Sequence, residues 1–184
     1  MKFQVWPRCL ASVLLVWISS ISCTLWAQRS KPSEYQVKAA YLSNFGRFVE
    51  WPSEMTAGDA PFYVCVLGQD SFGPALDAAL SGEKIGHAPL VPKRISRVEE
   101  AVDCRLLFIS ASEDSRLTTI LPGVGKSILT VGDMPGFTQR GGMIQFVVEG
   151  NRVRFEINLA AAQHAGLNLG SDLLKVATTV RRGL

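Results

Sequence analysis

The sequence predicts a single compact α/β domain: a mainly parallel central sheet flanked by helices, followed by a C-terminal β-hairpin and helices. Three observations lead to this class. Short apolar runs alternate with helical segments through the middle of the chain, which is typical of a parallel sheet covered on both faces. Two alternating strands then flank a tight turn at 149–151. No repeat or linker interrupts residues 33–182, so 28–184 are expected to form one domain.

The first predicted helix begins after Ser33, whose hydroxyl can cap it while Gln36 returns a bond to the cap's own N–H. An aromatic-rich stripe follows at helical spacing, and Trp51-Pro52 ends it. The aromatic residues are either simply buried or form a partner-binding or dimer face, and the sequence favours neither. These candidates are Tyr41, Phe45, Phe48 and Trp51.

The remaining elements follow from apolar pattern and end signals. The predicted strands are 61–67, 90–95, 106–110, 127–131, 143–148 and 152–158. Pro92 places the second of these near a sheet edge, because proline cannot donate to a ladder. Pro74 marks the first position of a second helix. Further helices are predicted at 96–103, opened by a Ser96/Glu99 capping box, and at 112–121, 159–165 and 171–182.

Residues 1–27 have the pattern of a cleaved secretory signal. Lys2 and Arg8 precede an apolar run at 9–18, and small residues lead to Ala27 at the cleavage position. The apolar run is short for a membrane span. We therefore expect the mature protein to act outside the cytoplasm.

Two alternatives for this segment stay open. An uncleaved N-terminal anchor is possible because Leu25 is larger than the residue usually found three positions before the new N-terminus. A lipoprotein attached at Cys23 is also possible, although Ser20 stands where a lipobox has an aliphatic residue.

Charge and cysteine content restrict the class of protein. Without Lys2 and Arg8, the 19 basic and 16 acidic residues of the chain become 17 and 16. A net charge this close to zero argues against a basic face for nucleic acid.

Two cysteines, Cys65 and Cys104, remain after residues 1–27 are removed. An even pair in an oxidising compartment favours a disulfide over two free thiols.

Sequence motifs supply no credible catalytic apparatus. The segment 123–127 resembles the end of a phosphate-binding loop, but Ile120 stands where that motif requires glycine, and an apolar strand follows instead of a helix. His87 and His164 have no partner at metal-ligand spacing. We therefore expect no enzyme activity, no cofactor and no metal.

The run 132–144 is dense in glycine and has Phe137 at its tip. Such loops serve recognition as readily as tight packing. Asp133 within this run could take part in a functional site, but a turn explains it equally well.

Several separate motifs occur in an order that resembles one known family. They are EYQVKAAYLSNF at 34–45, FVEWP at 48–52, CVLG at 65–68, GF at 136–137, GGMI at 141–144 and VRFEINL at 153–159. Together they are similar to the YfiR (HmsC-like) periplasmic family over about residues 34 to 180.

The resemblance implies a non-enzymatic homodimeric regulator in the Gram-negative periplasm. It would bind and repress the periplasmic sensor domain of an inner-membrane diguanylate cyclase, and so control cyclic-di-GMP and biofilm. Relief would come from an OmpA-like outer-membrane lipoprotein or from redox stress on a disulfide. Cys65 and Cys104 match the family's structural cysteine pair, but the second pair of some members is missing here. The C-terminal motif beside the family's partner-binding surface matches Phe155, Glu156, Ile157 and Asn158.

A rival hypothesis is a periplasmic small-molecule-sensing module that works with a sensor kinase or a transporter. In that case the glycine-rich loop would form one wall of a pocket.

The signal pattern and the surplus of aromatic residues on the first helix yield a first prediction. Material purified from the periplasm should begin at or near Gln28 and should be a homodimer. Intact mass and light scattering measure the two properties separately. Retention of 1–27 would contradict cleavage, and a monomer at micromolar concentration would contradict the dimer.

Overall fold

An eight-stranded sheet lies at the centre of the structure, a computed structural model that describes residues 31–52 and 60–183. The segment 1–27, predicted as a signal, lies outside the described residues. The strands are β1 (Val49–Glu50), β2 (Phe62–Leu67), β3 (Lys84–Ile85), β4 (Ala88–Ile95), β5 (Cys104–Ile109), β6 (Leu129–Gly132), β7 (Ile144–Glu149), β8 (Arg152–Asn158), β9 (Asn168–Leu169) and β10 (Thr179–Arg181). Their order in the main sheet is β10-β8-β7-β6-β5-β2-β4-β3, while β1 and β9 form a separate antiparallel ribbon.

The middle of the sheet is parallel, as the apolar runs predict. Strands β4, β2, β5, β6 and β7 run in one direction. β7 and β8 form the predicted antiparallel hairpin, in which Gly150 (φ 53°) and Asn151 (φ 62°) make the tight turn. The predicted fold class, a mainly parallel α/β sheet with a C-terminal hairpin, is confirmed.

Helices cover both faces of this sheet. They are α1 (Glu34–Phe45), α2 (Pro74–Leu80), α3 (Leu117–Gly123), α4 (Leu159–His164) and α5 (Ser171–Val176), with 3₁₀ turns at Gly46–Phe48, Val98–Asp103 and Ala111–Arg116. The capping box of α1 is present: Gln36 N donates to Ser33 Oγ (3.3 Å) and Ser33 N donates to Gln36 Oε1 (2.7 Å). Among the described residues, no helix is long and apolar enough to cross a bilayer.

Two apolar clusters fill the space between helices and sheet. On the first face, α1 and α2 pack on β2, β5 and the hairpin through residues such as Phe45, Leu76 and Phe108. On the second face, α3 and the glycine-rich loop pack on the same strands through Leu117 and Phe137. The alternation of side chains along each strand therefore divides the core into two layers.

The prediction of a last helix over 171–182 is wrong. The helix α5 ends at Val176, and β10 follows as a strand that pairs in parallel with β8. Thr178 begins this change, since its N and Oγ1 both donate to Phe155 O, at 2.9 and 3.1 Å. The β-branched run from Thr178 to Val180 favours an extended chain, and the open edge of β8 supplies it with hydrogen-bond partners.

Three other helix predictions need correction. The first helix, predicted to continue to Trp51-Pro52, ends at Phe45 and is followed by a 3₁₀ turn and by β1. The segment 96–103 contains a 3₁₀ turn that begins at Val98, and Arg97, not Ser96, precedes it without a side-chain cap. The segment 112–121 is a 3₁₀ turn followed by α3. The first connection joins β4 to β5, which lie on either side of β2, and the second connection leads from β5 towards its neighbour β6. In both, the limited length favours the tighter 3₁₀ geometry.

The disulfide Cys65–Cys104 joins the central strands β2 and β5. The two Cα atoms are 5.9 Å apart, and both residues are fully buried on the second face of the sheet. The predicted pairing is confirmed. Because both sulfurs lie inside the core, a soluble reductant reaches them only when this part of the sheet opens.

Removing the disulfide should destabilise the fold strongly. In the chain-entropy model, a cross-link between residues 39 apart in sequence contributes about 4 kcal/mol, so the Cys65→Ala/Cys104→Ala variant should lose up to that amount. Urea unfolding of oxidised protein and variant measures the difference.

The burial of the disulfide predicts slow reduction under native conditions. In native buffer, dithiothreitol should leave the disulfide intact, so that neither cysteine is alkylated. In urea, dithiothreitol should reduce it, and both cysteines should then be alkylated. Equal rates of alkylation in the two conditions would show that the disulfide is accessible in the folded state.

Candidate functional site

The aromatic residues on α1 divide between core and surface. Phe45 is buried, and its ring lies 5.7 Å from Phe146 and 5.2 Å from Phe155. Tyr41 is partly buried at the edge of the same cluster, 5.5 Å from Phe155 and 5.7 Å from Phe45. Edge-to-face and offset pairs of this kind add about 0.5–1.5 kcal/mol each beyond burial. Phe45 therefore stabilises the fold, and Tyr41 lies at the edge of the aromatic cluster.

The chain after α1 carries two further aromatic candidates. Trp51 is half-buried: its Nε1 donates to Gly46 O (2.9 Å) and its ring meets Phe62 edge-on at 5.2 Å. Phe48 is 40% exposed, although its carbonyl accepts a 2.7 Å bond from Gly170 N. The backbone of Phe48 is thus fixed by the β1–β9 ribbon while its ring faces solvent.

The C-terminal motif alternates between the two faces of β8. Phe155 and Ile157 lie in the first-face core, and Asn158 is also buried. Asn158 Oδ1 accepts from Ala161 N (3.0 Å), capping α4, and its Nδ2 donates to Thr138 O (2.9 Å). Of the four residues 155–158, only Glu156 keeps partial exposure.

The glycine-rich loop is built for packing. Phe137 is fully buried, and its ring lies against two glycines. A Cβ at Gly132 would stand 2.8 Å from the ring, and one at Gly142 would overlap it. Of the two interpretations of this loop, its burial therefore supports tight packing, because no larger residue fits at either glycine.

Burial corrects the candidate list for a partner surface. The structure places the side chains of five of the nine candidates inside the domain: Phe45, Phe137, Phe155, Ile157 and Asn158. Surface contact requires side-chain exposure, which these five lack. The four that keep exposed area are Tyr41, Phe48, Trp51 and Glu156.

A buried ion cluster that the sequence does not reveal holds α1 against the sheet. The Lys38 side chain is 4% exposed, and its Nζ lies 2.7 Å from Asp133 Oδ2 and 2.6 Å from Glu34 Oε1. Tyr35 OH donates to the same Asp133 oxygen at 3.0 Å. Asp133 directly follows β6, so the cluster lies at the carboxyl end of the parallel strands. The only sequence signal is the i,i+4 spacing of Glu34 and Lys38 on the apolar side of a helix.

The cluster shifts the ionisation of two groups in the same direction. Burial lowers the pKa of Lys38, but its hydrogen bonds to Asp133 and Glu34 outweigh burial and hold this pKa above its ordinary value. Burial and the nearby Asp133 carboxylate raise the pKa of the Tyr35 phenol. Both groups therefore keep their protons at neutral pH.

A crevice lies at the carboxyl ends of β2 and β5, and part of it is filled by protein. In open α/β sheets of this strand order, ligands usually bind at the topological switch point, where the order of the strands reverses. In this sheet that point lies between β2 and β5. Here the 3₁₀ turn after β5 packs onto Gly68, so that a Cβ there would lie 2.5 Å from Ser112 Oγ and 2.7 Å from Glu113 Oε1. Gln69 N also donates to Ser112 Oγ (2.9 Å). A pocket of about 330 Å³ remains beside this contact, with Leu67, Ser96 and Glu113 among the residues that line it.

Metal-ligating side chains are scattered. Within 31–52 and 60–183, no group of three or more His, Cys, Asp or Glu residues could hold a metal ion. His87 and His164 are both exposed. Among the described residues, Phe48 is the aromatic side chain that stands out as exposed.

Comparison with known proteins identifies relatives of the chain. A sequence profile described as YfiR/HmsC-like matches residues 35–178. A conserved domain protein from Vibrio cholerae O1 biovar eltor superposes with a TM-score of 0.54 at 11% identity, covering 83% of this chain and 62% of that chain. No curated protein matches the chain significantly.

A second solved structure has the same fold. It is the ABC domain from Streptococcus pneumonia in complex with L-Trp, with a TM-score of 0.53 at 11% identity, covering 79% of this chain and 61% of that one. The chain thus spans about three-fifths of the length of either solved protein. At this identity the likeness shows the fold alone.

Breaking the buried ion cluster should destabilise the protein. Lys38→Met leaves the Asp133 carboxylate buried without its main partner, which costs about 3–5 kcal/mol in comparable buried pairs. Lys175→Met is a matched control, because Lys175 pairs with Asp172 at 2.9 Å but both side chains are largely exposed; it should cost less than about 1 kcal/mol. Urea unfolding measures both. Equal losses would mean that burial adds nothing to the Lys38 pair.

The same cluster predicts an alkaline loss of stability. A folded-state pKa above the unfolded value stabilises the protein below the unfolded pKa, and the contribution disappears as pH rises through the folded pKa. For Tyr35 and Lys38 the ordinary values are 10.0 and 10.5, so stability should fall as pH rises above these values. Thermal melting from pH 8 to 12 should show a steeper decline for the native protein than for Lys38→Met. Parallel curves would contradict the role of Lys38.

Proposed function

The chain belongs to the YfiR/HmsC-like family of periplasmic regulators, and we propose that it binds and represses the periplasmic sensor domain of an inner-membrane diguanylate cyclase. Repression would lower cyclic-di-GMP and biofilm formation. Members of this family generally regulate without catalysing a reaction. A regulator of this kind acts by binding a protein partner in signalling. The identity of the partner as a cyclase is our proposal.

The observation that carries the proposal is the exposed ring of Phe48 on a rigid support. This aromatic side chain stands at the end of α1, where the β1–β9 ribbon fixes its backbone through the Gly170 N to Phe48 O bond. Aromatic residues are enriched at protein interfaces, and a preorganised anchor loses little entropy on binding. At 40% exposure, Phe48 leaves apolar area that a partner could cover.

Neighbouring elements can extend this contact. Tyr41 and Trp51 present their exposed margins on the same N-terminal segment, and Val176 on α5 is 59% exposed. The helix α5 follows directly after β9 and Gly170, so it is connected to the ribbon that holds Phe48. Glu156 supplies a carboxylate on the other face of β8 from Phe155 and Ile157, where its Oε2 accepts from Thr138 Oγ1 (3.4 Å). We propose that apolar contact at Phe48 gives affinity and that Glu156 makes a separate polar contact that contributes to specificity.

Regulation would depend on competition for that surface. We propose that the protein is a homodimer and that an OmpA-like outer-membrane lipoprotein releases the cyclase by sequestering it. The buried disulfide bears on the alternative, release by redox stress. Since Cys65 and Cys104 are fully buried, such release would first require the sheet to open.

A second candidate function is small-molecule sensing together with a sensor kinase or a transporter. It is prompted by one solved protein of the same fold, which was determined in complex with L-Trp; the likeness itself shows the fold alone. That ligand belongs to the other protein. A rise in melting temperature with amino acids, without any cyclase partner, would support this second function.

Deletion of the gene should raise cyclic-di-GMP and biofilm, and the effect should require a membrane diguanylate cyclase with a periplasmic sensor domain. Phe48→Ala should reproduce the deletion, because loss of a central aromatic anchor costs about 2 kcal/mol, roughly thirtyfold in affinity. Cellular cyclic-di-GMP and calorimetric titration of the purified sensor domain measure the two effects.

The matched control is Val102→Ala. Val102 is 76% exposed, but it lies on the 3₁₀ turn that covers the second face, away from α1. This variant should repress normally, and both variants should melt like the native protein. Unchanged cyclic-di-GMP in the deletion strain, with the cyclase expressed, would refute repression and favour ligand sensing.

A further inference from the structure

A groove of about 580 Å³ lies beside α4, at the amino-terminal ends of β6 and β7. Its volume falls within the range of small-molecule sites, about 300–1,000 Å³. Most of its wall is apolar, and the side chains that form this wall are Leu121, Pro122, Val124, Met143, Ala161 and Ala165. It does not include Phe48, so it is separate from the proposed partner surface.

Two basic side chains stand at this apolar wall. Lys126 lies in the turn before β6, and His164 ends α4; both are exposed. The groove has no Asp or Glu among the side chains that line it. In the described part of the chain, neither Lys126 nor His164 belongs to an ion pair. The groove therefore complements a molecule with an apolar body and a negative head.

The walls of the groove are tied together by hydrogen bonds. Ser127 N donates to Ala165 O (2.8 Å), which joins the turn of Lys126 to the end of α4. Met143 N donates to Thr130 Oγ1 (3.1 Å), and Asn158 N donates to Met143 O (2.7 Å). The shape is thus formed before any ligand binds, which reduces the entropy cost of binding.

The local backbone favours a carboxylate over a phosphate. The segment 123–127 has the glycines and lysine of a phosphate loop, but β6 follows it instead of a helix. Its amides therefore do not converge on an anion at a helix N-terminus, which is how phosphates are usually held. One ammonium and one imidazole suit a smaller, singly charged head group.

We propose that this groove binds a small free carboxylate with an apolar body. The carboxylate pairs with Lys126 and His164, and the apolar part lies on Met143 and Ala161. This site goes beyond the proposed contact with a cyclase and does not depend on it.

The test uses three probes of equal chain length: decanoate, decanol and decylamine. Each is titrated into the purified protein by calorimetry and followed by methyl NMR of Met143 and Ala161. Decanoate should bind with one-to-one stoichiometry and shift both methyl signals, and decanol should bind about tenfold more weakly, because it lacks the charge-assisted contact. Decylamine should bind more weakly still. Equal affinity for decanoate and decanol, or no shift at either methyl group, would overturn the proposal.

Variants locate the site and its charge. Lys126→Gln and His164→Gln should each weaken decanoate several-fold and leave decanol unchanged. Lys84→Gln is the matched control, since Lys84 is exposed on β3 at the far edge of the sheet, and it should change nothing. Ala161→Phe should fill the groove and abolish both ligands, with thermal melting to confirm its fold. Unaltered decanoate binding in both charge variants would overturn the proposal. So would binding of a peptide with a free carboxyl terminus in preference to decanoate, or dimerisation through the groove in light scattering.

Discussion

A buried charge determines where the first helix can lie. Burying the ammonium of Lys38 without a partner would cost several kcal/mol, so α1 is stable only in the orientation that brings Lys38 to Asp133. That orientation turns Phe45 into the core and leads the chain into the 3₁₀ turn that ends at Phe48. In this orientation Phe45 is buried, whereas Phe48, three residues later and beyond the end of the helix, is 40% exposed.

Much of the fold is predictable because local pattern and tertiary environment agree. The central strands are continuous apolar runs, since a parallel strand is buried on both faces, and the hairpin alternates around a Gly-Asn turn. The last strand is different. The segment from Thr178 to Arg181 follows a helix. Its β-branched residues favour an extended chain, but its place in the sheet depends on pairing with β8, more than twenty residues earlier in the chain. Such pairing is not a local property of the sequence.

The candidate site is less predictable for a similar reason. Helical spacing identifies one face of α1 but does not say whether that face meets the sheet or a partner, so Tyr41, Phe45, Phe48 and Trp51 are equivalent in sequence and different in structure. The partner of Lys38 lies 95 residues away, where Asp133 has the appearance of an ordinary turn residue. Phe137 is equally ambiguous until Gly132 and Gly142 are seen against its ring.

The position of the disulfide has a consequence for biogenesis. Oxidation must reach Cys65 and Cys104 before β2 and β5 are enclosed by the helices, because afterwards both sulfurs are shielded from any oxidant. Oxidation therefore takes place on a chain that is still incompletely folded. A chain that encloses its core before oxidation would be trapped as a dithiol. The yield of oxidised protein therefore depends on the relative rates of folding and oxidation. A mutation that speeds collapse would lower that yield without weakening any native contact.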